Sequence, residues 1–142
     1  MSQTKMPVSG SCLCGKVNLK FEIDEAHFDV CHCGMCRKWA GGPGFGVNPS
    51  TPIQFSGEEN ISVYQSSDWA ERAFCKNCGT HLFYRLRDKS FTNVPLGTLD
   101  QNAEFKFHVQ IFVDSNPGNY SFANSTKQMT AAQVLAAFTK KD

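Results

Sequence analysis

Seven cysteines stand in three clusters and nowhere else: Cys12 with Cys14, then Cys31, Cys33 and Cys36, then Cys75 with Cys78. Cysteines kept only as small buried hydrophobes would be scattered, whereas clustering at short spacings is the signature of metal ligation. In Cys75-Lys76-Asn77-Cys78-Gly79 the spacing turns the chain so that both sulfurs face one point. The glycine that follows tolerates the backbone angles of that turn. Cys12 and Cys14 form a second pair, next to Gly10 and Gly15. Two such pairs, far apart in sequence, predict a tetrahedral four-thiolate zinc site that ties the N-terminal strand to the middle of a sheet. A filled coordination shell leaves no place for substrate, so the role of this site is stability. Structural zinc of this kind contributes on the order of 10 kcal/mol to folding.

The segment Cys31-His32-Cys33-Gly34-Met35-Cys36 offers different chemistry. Residues i and i+2 of an extended chain share a face, so Cys31 and Cys33 point one way and His32 the other. A turn through Gly34 then returns Cys36 to the same point. If the first site takes four of the seven cysteines, three remain, all in this segment. Three protein ligands with an exchangeable fourth position is the pattern of catalytic zinc. Three thiolates make the ion a weak Lewis acid, better matched to holding a soft thiol than to generating hydroxide. Arg37 and Lys38 follow immediately and could offset the charge or meet a substrate carboxylate. Two alternatives stand beside this reading. A fourth ligand from His27, His81 or His108 would close the site, and Arg37 and Lys38 are equally readable as ordinary surface charges.

The elements that must position these residues are mostly strands. Val17, Leu19 and Phe21 alternate with polar residues, as do Ile61 with Val63, and Phe105, Phe107, Val109 and Ile111. Period-two alternation of this kind predicts half-buried strands. Thr80 to Leu86 and Asn93 to Leu96 read as strands too. Turn chemistry separates them at Gly41-Gly42-Pro43, Asn48-Pro49, Ser56-Gly57 and Asn116-Pro117-Gly118. A short helical turn is expected from Met35 to Ala40. A full helix is expected after Thr130, an N-cap with Gln133 three residues on, as a capping box requires. Val134, Leu135 and Phe138 would be its apolar stripe, packed as a lid on the sheet, with Lys140 and Lys141 at its C-terminal end. Phe74, Phe83 and Phe112 are assigned to the core, and Trp39 and Phe45 are read as core rather than substrate wall. The class is mainly β.

Composition bounds the rest. At 142 residues, 41% of them hydrophobic, the chain suits one domain with a single core. A net charge of +1, with acids and bases mixed, gives no footprint for nucleic acid or an anionic membrane. No apolar run approaches the length of a bilayer span, and Met1 to Ser9 lacks the apolar core of a signal peptide. A cytoplasmic setting, where thiols stay reduced, is therefore expected.

Gly10-Ser11-Cys12-Leu13-Cys14-Gly15, then Cys31 to Lys38, then Phe74-Cys75-Lys76-Asn77-Cys78-Gly79-Thr80 resemble the glutathione-dependent formaldehyde-activating enzyme family, also called the centromere protein V family. Val94-Pro95-Leu96-Gly97-Thr98-Leu99-Asp100 and His108-Val109-Gln110-Ile111-Phe112-Val113 resemble its later segments. The likeness runs from about Gly10 to Tyr120 and holds every cysteine in register.

The resemblance implies a β-tent of antiparallel sheets with zinc knuckles, forming a single zinc-binding domain over residues 1–142. It implies a structural zinc on Cys12, Cys14, Cys75 and Cys78, and a second, active-site zinc on Cys31, Cys33 and Cys36. The implied activity is that of a carbon–sulfur lyase joining formaldehyde to glutathione as S-hydroxymethylglutathione. A small thiol is then the partner, with Arg37 and Lys38 as the residues for its anionic end. Two other functions compete. One is a non-enzymatic, zinc-stabilised β-tent binding module, against which the odd cysteine count speaks. The other is a thiol redox protein of the methionine sulfoxide reductase kind, which needs a free cysteine where metal claims them all.

Overall fold

The computed structural model describes residues 5–139. Eleven strands and two α-helices fall into two compact units. One unit comprises the chain up to Ala26 and Val47–Phe105; the other comprises His27–Gly46 and the chain from Lys106 onward. The mainly β class stands, and Lys140 and Lys141 lie outside the described residues.

In the first unit β1 (Met6–Ser11), β2 (Asn18–Ile23) and β5 (Gln54–Ser56) form a three-stranded sheet in the order β1-β2-β5. β2 shows why it forms: Leu19, Phe21 and Ile23 are buried while Asn18, Lys20 and Glu22 are exposed, so alternate residues face core and water. β6 (Ile61–Gln65), β7 (Ala70–Cys75), β8 (His81–Leu86) and β9 (Thr92–Pro95) pair successively and antiparallel. Ala73, Leu82, Phe83, Val94 and Leu99 add to the core of this unit. Gly10 is required here by close approach. It bridges Leu99, and a Cβ at that position would lie 2.2 Å from the Thr98 carbonyl oxygen.

In the second unit β3 (His27–Cys31), β4 (Gly44–Val47), β10 (Lys106–Ile111) and β11 (Lys127–Met129) run in the order β11-β10-β3-β4. β10 is parallel to both β3 and β11, so the sheet is mixed where antiparallel pairing was expected. Helix α1 (Gly34–Ala40) fills the expected helical turn and ends on Gly41, which adopts φ 84°. Helix α2 (Ala131–Thr139) begins with the expected capping box. The Thr130 N–H donates to Gln133 Oε1 at 2.8 Å and the Gln133 N–H to Thr130 Oγ1 at 3.3 Å.

The apolar stripe of α2 is narrower than its sequence suggests. Val134 is buried, whereas Leu135 and Phe138 are 59% and 43% exposed, so of the three only Val134 is fully covered. Phe45 is also corrected: it is 39% exposed and stacks against Phe28 rather than lying in the core. Phe83 is buried as expected, whereas Phe74 and Phe112 are only half-buried.

Candidate functional site

Four sulfurs come together in the first unit. Cys12 and Cys14 lie in the turn after β1, Cys75 ends β7, and Cys78 precedes β8. All four sulfurs lie within 4.8 Å of one another, the reach of one tetrahedral metal ion. Cys12 Sγ lies 3.6 Å from Cys14 Sγ, which in turn lies 3.8 Å from Cys75 Sγ. Gly79 follows the knuckle with φ 83°, the left-handed conformation for which its sequence position calls. Backbone and side-chain dipoles already favour thiolate at two of the sulfurs. A hydrogen bond from the Asn77 side chain lowers the Cys14 thiol. The Thr80 hydroxyl and N–H push Cys78 down to about 5. Burial pushes Cys75 the other way.

Thr80 also links the two cysteine pairs. Its Oγ1 accepts from the Leu13 N–H at 3.0 Å and lies 3.2 Å from Cys78 Sγ. One lone pair is taken by the amide, so the hydroxyl hydrogen is free to donate to sulfur. A Thr80→Val variant keeps the shape and removes both bonds. We expect its chelator-induced unfolding midpoint to fall, corresponding to about 1–2 kcal/mol of site stability, with Thr80→Ser restoring it. Equal midpoints for all three proteins would show that the hydroxyl does not hold the pairs together.

The remaining three sulfurs meet in the second unit. Cys31 ends β3, Cys33 caps α1 by accepting from the Cys36 N–H at 3.3 Å, and Cys36 lies in the first turn of the helix. Their sulfurs also lie within 4.8 Å of one another. Hydrogen bonds from the Cys31 and Cys36 thiols pull Cys33 well below the usual thiol range, and the same Cys33 interaction holds Cys31 up. Among the described residues no histidine joins either set. His27 instead stacks on His108, with ring centroids 4.4 Å apart.

His32 faces away from the sulfurs, as alternation requires, and is fully buried. Its Nε2 lies 2.8 Å from Gln110 Oε1 and its Nδ1 lies 2.6 Å from the Tyr120 hydroxyl. Gln110 Nε2 then donates to Thr126 Oγ1 at 3.0 Å. This placement assigns the Nε2–H tautomer, in which Tyr120 donates to Nδ1. Arg37 grips the same segment from outside, its Nε donating to the His32 carbonyl oxygen at 2.9 Å. Lys38 is exposed one residue on. Sequence reasoning missed Gln110, Tyr120 and Thr126. Their only sequence signal was a polar residue, Gln110, inside the alternating strand that β10 became.

Fold and thiol sets together define a class: a small β protein with one four-sulfur and one three-sulfur group, each able to hold a metal ion. A family model described as glutathione-dependent formaldehyde-activating enzyme matches residues 7–115, and the chain belongs to that family. An uncharacterized lyase of Schizosaccharomyces pombe is 36% identical over 134 residues, which covers 92% of this chain and 96% of that protein. A Halomonas elongata protein bearing the formaldehyde-activating enzyme's name is 36% identical over 89 residues, 55% of each chain. An Aspergillus flavus protein of the same name is 37% identical over 86 residues, 53% of this chain and 42% of that one. A solved structure of a Rhodobacter sphaeroides protein superposes with a TM-score of 0.56 at 24% identity, covering 65% of this chain and 87% of that one. That likeness shows a shared fold. No helix among the described residues is long and apolar enough to cross a membrane.

Proposed function

We propose that this chain is a zinc-dependent carbon–sulfur lyase acting on the adduct of a small thiol, such as glutathione, with formaldehyde or a related aldehyde. One observation carries the reading: the sulfurs divide into a set of four and a set of three. Four sulfurs complete a tetrahedral shell and three leave a position for substrate. Both donor sets are all-thiol, the chemistry that selects zinc over harder divalent ions. In this reading Cys12, Cys14, Cys75 and Cys78 hold a structural zinc, and Cys31, Cys33 and Cys36 hold the catalytic one. Zinc bound at the three-thiol set would lower the pKa of a substrate thiol and fix its direction.

The protein's own residues do the rest. Arg37 and Lys38 meet the anionic end of the thiol, Arg37 being steadied by its bond to the His32 carbonyl. Fixing the thiol beside the aldehyde makes the addition effectively unimolecular. The sulfur lone pair forms the C–S bond, the carbonyl π pair moves to oxygen, and that oxygen gains the proton that the thiol has lost. The lyase direction reverses each of these changes. The chain acts as one zinc-binding domain, and a reducing cytoplasm is the setting that keeps its thiols available.

The adduct also forms without a catalyst, so the test is an exchange measurement by NMR on formaldehyde and glutathione at equilibrium. Exchange is expected to be faster with protein than without, and the increase to vanish in Cys33→Ser. Equal exchange rates, with no thiol-induced change in the spectrum of protein cobalt-substituted at the three-thiol set, would remove the enzyme and leave a zinc-stabilised binding module.

A further inference from the structure

β6 ends its sheet, with β7 on one side only. Its bonding pattern shows which groups face outward. The Lys76 N–H donates to the Asn60 carbonyl at 2.8 Å, and the Ser66 N–H to the Ala70 carbonyl at 3.1 Å. Opposed residues of an antiparallel pair alternate between bonded and unbonded, so Ser62 and Tyr64 bond to β7 between those two points. Ile61, Val63 and Gln65 therefore turn their backbone groups to the open edge. The Ile61 N–H is already given to the Glu58 carbonyl. The N–H and C=O of Val63 and of Gln65 meet no strand among the described residues.

Such an edge is a template for another strand unless something blunts it. The other strands that end a sheet are blunted. β1 carries Pro7 and has Leu99 and Asp100 laid along it, the Asp100 N–H donating to the Ser9 carbonyl at 2.8 Å. β5 is three residues long, and β11 is three residues long and begins with Lys127. β6 has five residues, no proline and no charge. Val63 is 49% and Tyr64 59% exposed on it.

We propose that β6 is the docking edge for a second copy of this chain, joined antiparallel about a two-fold axis at Tyr64. A closed two-fold contact pairs residue i with j and j with i. With Tyr64 opposite its own symmetry mate, Val63 lies opposite the second copy's Gln65, and each such pair exchanges two backbone bonds. These bonds use every outward N–H and C=O of Val63 and Gln65. The two tyrosines form an unbonded pair, the closer of the two spacings, where aromatic side chains pack across strands. Charge favours the same register. It sets Asp68 opposite Asn60, whereas an axis at Val63 would set Asp68 opposite Glu58. The contact is short, so one copy and two are expected to interconvert at roughly 10 µM–1 mM.

The test uses the full chain with its thiols kept reduced, so that no disulfide links two copies. Over that concentration range sedimentation is expected to move from the mass of one chain toward that of two. Hydrogen exchange at the Val63 and Gln65 amides should slow by about tenfold, while Ser62 and Tyr64, already bonded to β7, stay within about twofold. Tyr64→Lys and Tyr64→Glu should each remain single, because like charges meet on the axis, and an equimolar mixture of the two should pair again. Leu135→Lys, which alters an equally exposed apolar residue on α2, should pair as wild type does. Circular dichroism checks that the variants fold, and the wild-type exchange pattern decides the matter if one does not. Sedimentation as a single chain throughout overturns the proposal, as does growth beyond two copies. Association that survives both Tyr64 variants also overturns it, because another surface would then carry the contact. Slow exchange at Val63 and Gln65 in the dilute single chain does the same, because the edge would then be covered from within. A mixture that pairs no better than either variant alone removes the Tyr64 axis and the proposal with it.

Discussion

Cys75→Ser and Cys78→Ser are each expected to yield no folded soluble protein, whereas Cys33→Ser and Cys36→Ser should remain folded and lose metal at one site only. The asymmetry follows from what each set joins. The four-sulfur set draws on the turn after β1 and on both sides of the β7–β8 turn, segments more than sixty residues apart in sequence. Unclipping them frees the β1 end from the β7–β8 hairpin. Structural thiolate zinc contributes on the order of 10 kcal/mol, comparable to the whole stability of a typical domain, about 5–15 kcal/mol. The three-sulfur set comes from one local segment, Cys31 to Cys36, whose strand and helix keep their own hydrogen bonds without metal. A graded chelator titration, followed by metal analysis and circular dichroism, should therefore release one equivalent before any unfolding. If the triplet proved essential for folding and the knuckle dispensable, the two roles would have to be exchanged.

His32→Leu is expected to lower the melting temperature by roughly 10 °C, about 2–4 kcal/mol, although His32 binds no metal in this account. The imidazole is fully buried and both nitrogens are paired, to Gln110 Oε1 and to the Tyr120 hydroxyl. Removing it strands a buried acceptor on one side and a phenolic donor on the other. Gln110→Leu should cost a similar amount, because it strands the His32 Nε2–H and the Thr126 hydroxyl. The double variant should cost clearly less than the sum, since each change has already broken the same bond. Additivity within about 0.5 kcal/mol would show that the residues are not coupled. Because Arg37 holds the His32 carbonyl from the other side, His32→Leu is also expected to weaken metal retention by the three-thiol set. Metal retention by the four-thiol set should not change. Competition with a chelator on the cobalt-substituted protein reads both.

The grouping of the sulfurs was legible because cysteine spacing is a local property. Two residues between Cys75 and Cys78, and one between Cys31 and Cys33, decide which sulfurs can converge before any long-range contact forms. The same locality made β2 readable from its alternation, and α2 from a capping box that closes over three residues. β7 was not readable. Its buried positions include Arg72, whose guanidinium lies 4.8 Å from the centroid of the Tyr84 ring, and no period-two rule anticipates a buried arginine. β4, Gly-Phe-Gly-Val, follows the Gly41-Gly42-Pro43 turn and was not assigned as a strand, because glycine carries no strand signal.

What only the tertiary structure decided is everything that depends on distant segments meeting. Parallel pairing sets β10 beside β3, which brings Gln110 to His32 across 78 residues of sequence and leaves Tyr120 to reach it across 88. Packing also decided how far Leu135 and Phe138 stay exposed, since an apolar stripe states what a helix could bury and not how completely it is covered. Which sulfurs can converge is written in spacing along the chain, whereas the surroundings that tune those sulfurs are assembled by contacts whose partners the local sequence does not name.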